Sequence, residues 1–259
     1  MNLSLPHAPI TAISGPSGSG KTTLIKLLLT MKPYLTYGQS FTTRSARTSD
    51  WPGKYVYGTS LDAICDAVTK GQALEWASFA GNAYATCRPD PMQPTIIDLE
   101  VQGAAQLMAY FGSLPITFIG IIPHPNFQDT NRTTAAEFAS QFESNAGVRQ
   151  LQYKRILKAQ LEKRGDLDPQ KLIERVSIGE LEIATITSRW ATRSDTHVIR
   201  NIHGSIEDTA SQAAKLIQKA YSDWKDECGQ VQDGAIRALF DQIGSELDPP
   251  TLDLVDQHD

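Results

Sequence analysis

Short apolar runs of strand length alternate along the chain with longer stretches whose apolar residues recur at helical spacing. PITAIS, residues 9–14, is the first run, and it stops at Gly15 and Pro16, which do not continue a regular strand. The next stretch carries Leu24, Leu27 and Leu28 at i, i+3 and i+4, the mark of one buried helical face. Three more strand-length runs follow: PTIIDLE at 94–100, PITFIGIIP at 115–123 and THVIRNI at 196–202. Helical spacing occupies 101–111, roughly 150–190, and 206–224. Strands alternating with helices predict an α/β fold with a parallel sheet covered on both faces.

Two stretches break the alternation. Residues 34–92 are rich in Tyr, Thr, Ser, Gly and Arg, and LEWASFAGNAYAT within them reads as a β-hairpin, so a small mixed insert is expected beside the main sheet. Residues 124–152 are polar and poor in branched aliphatics, which predicts an irregular or weakly helical insertion. After Trp224 the chain turns acidic, and GAIRALFDQIG is expected as one amphipathic helix before Pro249 and Pro250. The expected organisation is a core of 1–33, 93–123 and 191–224, the insert 34–92, the insertion 124–152, a helical segment of about 153–190, and an acidic extension 225–259. No internal repeat or low-complexity tract interrupts it.

Composition narrows the function classes. With 259 residues, 41% of them hydrophobic, the chain is long enough to bury a real core. The formal net charge of −5 gives no global attraction to nucleic acid or to an anionic membrane, so any polyanion site must be local. Neither partner class is expected. Cys65, Cys87 and Cys228 lie far apart and without His at metal-ligand spacing, which reads as reduced thiols in a cytoplasmic protein. The first ten residues lack a basic and apolar leader, and the apolar run FIGII is too short for a membrane span. His124, His197 and His203 have no ligand-spaced partners and read as structural.

One loop changes the picture. Residues 15–22, G-PSGS-G-K-T, satisfy G-x-x-x-x-G-K-[ST], a chance match for which is about one in a hundred in a chain this long. The backbone of Gly15, Pro16, Ser17, Gly18, Ser19 and Gly20, continuing to Thr23, is expected to cradle phosphate through its N–H groups, with Pro16 contributing shape alone. Lys21 neutralises β and γ phosphates, and Thr22 offers a hydroxyl to Mg²⁺. The helix beginning there turns its positive dipole end toward the same anion. A nucleoside triphosphate site is therefore expected, with the second substrate left to the rest of the chain.

A second phosphate cradle is expected at SFTTRSARTSDWPGKYVYG, residues 40–58, where Arg44, Arg47 and Lys54 stand beside Tyr55 and Tyr57. Guanidinium forks bind phosphate oxygens in pairs, although an isolated arginine pair is more often a solvated basic loop. Glu75 is followed at hairpin spacing by Asn82, Tyr84 and Thr86. A carboxylate accepts from two adjacent N–H groups, as the N1 and N2 edge of guanine presents, and hydroxyls donate to O6. Asp98 and Glu100 end an apolar strand, where a parallel sheet delivers its ligands. Asp98 lies where a carboxylate would approach the phosphates, and Glu100 is within reach of a base.

In order and approximate spacing, SGPSGSGKTTL, TTRSAR followed by GKYVYG, LEWASFAGNAYAT, IIDLEVQG and the late VIRN resemble the guanylate kinase family, over about residues 9–224 apart from 124–152. The resemblance implies a P-loop three-layer fold with a central parallel sheet, a small α/β insert that binds the nucleoside monophosphate, and a helical lid over 153–190. It implies that Ser40, Arg44, Arg47, Tyr55 and Tyr84 meet the acceptor phosphate and that Glu75, Thr86 and Glu100 read the guanine edge. Thr86 stands where Ser is usual and Glu100 where Asp is usual. The familiar G-K-D-Y is G-K-Y here, leaving Tyr55 or Tyr57 for one role.

In the lid, LKAQLEKRGDLDPQKLIERV at 157–176 matches with Arg164 and Arg175, which the resemblance makes catalytic together with Lys21 and Arg44. Gln160 replaces a third arginine of the family pattern, which lowers the expected rate more than nucleotide binding. Asn201 corresponds to a contact with the donor adenine. The implied activity is phosphoryl transfer from ATP, with Mg²⁺, to GMP or dGMP. A modified deoxynucleoside monophosphate or ribose bisphosphate is the alternative acceptor, and a non-catalytic binding module is the alternative class. The expected partners are small nucleotides, with a monomer or homodimer equally open.

Overall fold

In a computed structural model of the chain the described residues are 6–48, 50–79, 81–125, 140, 143–163, 168–202 and 205–246. The chain divides into one unit of His7–Tyr221 and another of Met1–Pro6 with Ser222–Asp259.

Within His7–Tyr221 five strands form one parallel sheet: β1 (Ile10–Ser14), β2 (Thr36–Tyr37), β7 (Thr95–Leu99), β8 (Ile116–His124) and β9 (Thr196–Ile202), in the order β2-β7-β1-β8-β9. Four intervening strands, β3 (Ser40–Thr42), β4 (Tyr55–Val56), β5 (Ala73–Phe79) and β6 (Asn82–Cys87), form a second sheet. The helices are α1 (Lys21–Met31), α2 (Leu61–Thr69), α3 (Val101–Tyr110), α4 (Ala146–Glu162), α5 (Pro169–Ser188) and α6 (Ile206–Glu246).

The parallel sheet is apolar on both faces because helices cover both. On one face Ile10, Ala12, Ile97 and Leu99 pack with Leu107 of α3, Leu157 and Leu161 of α4, and Ile183 and Ile186 of α5. On the other, Ile13, Ile96, Ile119 and Ile121 pack with Leu24, Ile25 and Leu28 of α1 and Ala210, Ala213 and Ile217 of α6. Each fully buried Ile or Leu here is worth about 1.5–3 kcal/mol relative to exposure. The parallel arrangement sends the ends of β1 and β7 to one edge of the sheet, with Ser14 level with Leu99. That edge is where the loops of an open parallel sheet meet ligands.

The second sheet has the order β4-β3-β6-β5, with β3–β6 and β5–β6 antiparallel and β3–β4 parallel. Helix α2 covers it through Ile64 and Ala67, which pack against Ala73 and Ala85. Ser60 starts that helix by accepting a hydrogen bond from the Ala63 N–H.

Two helical boundaries differ from expectation. The segment expected to be irregular from 124 is β8 at His124 and α4 from Ala146, where the Asn145 side chain caps the Gly147 and Val148 N–H groups; residues 126–139, 141 and 142 lie outside the described residues. Helix α6 continues through the predicted stop at 224 and absorbs the separate helix expected further on. No proline interrupts it, and Gly229 and Gly234 each cost only about 1 kcal/mol in a helix interior. In the unit containing Ser222–Asp259, the indole of Trp224 donates to the Pro6 carbonyl at 2.9 Å.

Candidate active site

The loop between β1 and α1 turns sharply enough to need glycine. Gly15 has φ +151°, and a Cβ there would lie 2.2 Å from the Ile121 carbonyl oxygen of β8. Only a residue without a side chain lets the loop cross the end of that strand. The N-cap of α1 is Gly20, without a side-chain cap, and no acidic residue occupies the first turn. The first N–H groups of α1 and its positive dipole end are thus left to an anion. The Lys21 ammonium hydrogen-bonds to the carbonyls of Gly15 and Pro16.

A cavity of about 690 Å³ opens beyond this loop. Its floor is Pro16, Ser17, Gly18, Gly20, Lys21, Thr22 and Thr23, and its opposite wall is Ser40, Arg44, Arg47, Tyr55, Glu75, Tyr84 and Thr86. Asp98 of β7, Glu100 just after it and Arg175 of α5 also line it, as do Asp50, Lys54 and Phe79. Strand register explains the wall. Thr86 of β6 stands opposite Glu75 of β5 and Ser40 of β3, and Tyr84, two residues earlier and so on the same face, stands opposite Ala77 and Thr42. Phenol, hydroxyls and carboxylate thereby share one side of a small sheet.

Glu75 is buried, and its Oε1 accepts from the Thr86 hydroxyl at 2.6 Å and from the Thr86 N–H at 3.2 Å. Its Oε2 is buried with no hydrogen-bond partner among the described residues. Gly103 makes room for that oxygen, since a Cβ there would lie 2.2 Å from it. Burial pushes the Glu75 carboxyl up, the two Thr86 hydrogen bonds pull it down, and the nearby Glu100 charge adds to the rise.

Two cations that line the cavity, Arg44 and Lys54, are already partnered by acids. Arg44 donates to Asp50 at 2.8 Å and to the Ser45 carbonyl at 2.9 Å, with its guanidinium over the Tyr55 and Tyr57 rings. Asp50 also accepts from the Arg47 N–H at 2.9 Å. Burial pushes the Asp50 carboxyl up, but the Arg47 N–H and the Arg44 guanidinium outweigh it and hold the group below the usual carboxylate range. Lys54 is buried and donates to Asp98 at 2.8 Å. Burial favours the neutral amine there, yet the Asp98 carboxylate wins and raises the ammonium well above its ordinary value. Asp98→Leu strands that buried charge and is expected to lower stability by about 3–5 kcal/mol, while adding Lys54→Met recovers most of the loss. Denaturant midpoints of the two variants check this.

The family model for guanylate kinase matches residues 8–162. The chain belongs to the guanylate kinase family. The guanylate kinase of Prochlorococcus marinus (strain MIT 9313) is 35% identical over 138 residues, covering 51% of this chain and 71% of that protein. That of Desulfitobacterium hafniense (strain Y51) is 32% identical over 158 residues, covering 57% and 78%. Among solved structures, guanylate kinase from Anaplasma phagocytophilum aligns with a TM-score of 0.51 at 20% identity over 83% of this chain and 87% of that one, a likeness of fold. The P-loop α/β fold class and a nucleoside monophosphate kinase family are thus established for this chain. Among the described residues no helix is long and apolar enough to cross a membrane.

Arg164 lies outside the described residues. Arg175 is beyond the matched segment but reaches the P-loop, 3.5 Å from the Ser17 hydroxyl, with its guanidinium over the Phe79 ring. Asn201 is not on the cavity wall; its amide donates to the Ser19 carbonyl at 2.7 Å and accepts from Thr209 at 3.1 Å, bracing the loop from behind. Gln160 packs against Gly18, together with Leu157 and Leu161. Of the two phenols, Tyr55 lines the cavity, whereas Tyr57 faces Asp50. Asp50 and Phe79 also line the cavity, and of the two only Asp50, an acid between two arginines and a lysine, carries a signal readable in the sequence.

Proposed function

We propose that the protein transfers the γ-phosphoryl group of ATP to GMP or dGMP, giving ADP and GDP or dGDP. The observation that carries the acceptor is Glu75: a buried carboxylate with one oxygen held by Thr86 and the other without a partner among the described residues, on the wall of a cavity whose floor is a P-loop. A purine bearing N1–H and N2–H donors satisfies such a group, and adenine, lacking N1–H, leaves it unpaired. Glu100 and the Thr86 hydroxyl complete the base contacts in this reading.

An oxygen of the acceptor monophosphate attacks the γ-phosphorus while the bond from that phosphorus to the β–γ bridging oxygen breaks, and ADP leaves. The chain supplies position and positive charge. The main-chain N–H groups of the loop and Lys21 hold the donor phosphates; Arg44, Arg47, Tyr55, Tyr84 and Ser40 hold the acceptor phosphate. Arg175 of α5, at the P-loop, adds positive charge to the site, with α4 and α5 as the lid and residues 34–92 as the acceptor-binding insert. Thr22 would hold Mg²⁺ through its hydroxyl, a hard oxygen ligand, and the ion would supply positive charge to the triphosphate.

A coupled ADP-release assay across nucleoside monophosphates and ribose bisphosphate tests the reading. Turnover with GMP or dGMP supports it; turnover confined to another acceptor overturns the substrate, and no triphosphate binding by calorimetry overturns the enzyme. Arg44→Ala is expected to raise KM for GMP about 10- to 100-fold, because charge-assisted contacts of about 1.5–3 kcal/mol are lost. KM for ATP, measured in the same initial-rate series, stays near its original value.

A further inference from the structure

The second sheet, in the order β4-β3-β6-β5, is tied to the elements around the main sheet at both of its edges. At the β5 edge the Gln106 side chain of α3 accepts from the Trp76 N–H at 3.3 Å and donates to the Trp76 carbonyl at 2.6 Å. At the β4 edge the tie is ionic. Lys54, the residue before that strand, donates to the Asp98 carboxylate of β7 at 2.8 Å, and only 10% and 12% of the two side chains are exposed. Asp98 is level with Ile13, one residue before the end of β1, where the P-loop begins. Lys54 therefore anchors the second sheet beside the loop that is built for the donor phosphates.

By sequence Lys54 groups with Arg44 and Arg47 as a phosphate cation, but the geometry gives it a different task. Its ammonium lies 5.7 Å from the centroid of the Trp51 ring and 5.1 Å from that of Tyr55. Trp51 in turn meets Tyr37 of β2 edge-on at 4.8 Å. Between these rings an ion pair is poorly screened, and an ammonium matched by Asp98 offers an incoming phosphate little net attraction. Arg44 and Arg47 are joined to each other instead, through Asp50, which takes the Arg44 guanidinium at 2.8 Å and the Arg47 N–H at 2.9 Å. We infer that Lys54 is a positioning residue: its ion pair with Asp98 holds the loop that carries Arg44 and Arg47 at the distance from the P-loop that in-line transfer requires. The inference rests on the reading of that loop as the holder of the acceptor phosphate.

The two ties predict a division of effects. Glu75 and Thr86 stand on β5 and β6, the side tied to α3, so loss of the ionic tie leaves the choice between bases intact. Arg44 and Arg47 stay joined through Asp50 and move together, so acceptor binding changes little. What is lost is the alignment of the attacking oxygen with the γ-phosphorus, where a displacement of about 1 Å costs about 100-fold in rate.

The test is steady-state kinetics of Lys54→Met with GMP and AMP. Its kcat with GMP is expected to fall about 10- to 100-fold, while KM for GMP, KM for ATP and the GMP-to-AMP ratio of kcat/KM each stay within about threefold of wild type. Methionine leaves Asp98 buried without its cation. If that variant does not fold, Lys54→Met/Asp98→Asn, which strands no charge, is compared with Asp98→Asn, which keeps an acceptor for Lys54. A kcat within about threefold of the reference protein overturns the inference. So does a KM for GMP that rises about tenfold, which makes Lys54 a phosphate ligand, and so does a GMP-to-AMP ratio that falls along with kcat, which makes it a support of the whole sheet. Hydrogen exchange of the nucleotide-free proteins separates failure here from failure of the GMP reading. Faster exchange in peptides spanning 43–56, with those spanning 73–87 unchanged, supports the tether whatever the acceptor is. No change over 43–56, or an equal rise in both segments, overturns it.

Discussion

Lys21→Ala is expected to lower kcat about 100- to 1,000-fold, the range seen when one preorganised donor to developing transition-state charge is removed. The fold should survive. The glycines that shape the loop remain, and the side chain's hydrogen bonds in the structure run to the carbonyls of its own loop, Gly15 and Pro16. The loss therefore belongs to charge at the β and γ oxygens rather than to architecture. Lys21→Arg keeps the charge but replaces a compact ammonium on a flexible stem by a broad planar fork, and it is expected to recover little of the rate. Single-turnover kinetics with thermal denaturation of both variants check the pair. A kcat within about threefold of wild type would remove the P-loop from the chemistry.

That prediction could be made from sequence because a P-loop is a local device. Its glycines, lysine and threonine must be consecutive, so eight residues display the whole arrangement. The central strands were legible for a related reason: with helices on both faces, β1, β7 and β8 are apolar without alternation and stand out from the polar segments around them. Strands β2, β3 and β4, of two or three residues, are too short to carry any period. Their place in the sheets is fixed by tertiary contact.

The acid partners of the site follow the same division. Glu75, Tyr84 and Thr86 were legible because a hairpin's register ties sequence spacing to one face. The Lys54–Asp98 pair joins residues 44 positions apart in the chain, and no spacing rule links them. Glu182 was the least visible. On a helix of mixed polarity an acid reads as part of a solvated face, yet Glu182 is buried on the face of α5 that also buries Ile183 and Ile186. Arg175, earlier on that helix, carried the same ambiguity, and the structure puts it against Ser17.

Glu75→Gln is expected to cut kcat/KM for GMP about 30- to 1,000-fold, equivalent to about 2–4 kcal/mol, because it replaces one face of a buried charged contact with an amide. The carboxylate can accept from two adjacent N–H groups, whereas the amide presents an acceptor beside a donor, and that donor opposes guanine's own N–H edge. The direction of the change for other acceptors is the informative part. Adenine offers N1 as an acceptor and its 6-amino group as a donor, so the amide suits AMP better than the carboxylate did, and the ratio of GMP to AMP turnover should collapse from both sides. An acceptor without a base should be unaffected. Stability should change little or rise, since the amide of the variant brings no charge to a site where burial already pushes the carboxyl up. Steady-state kinetics with GMP, dGMP, AMP and ribose bisphosphate on this single variant thus distinguish a base-reading Glu75 from one that only ties β5 to β6 through Thr86, for which every acceptor would fall together.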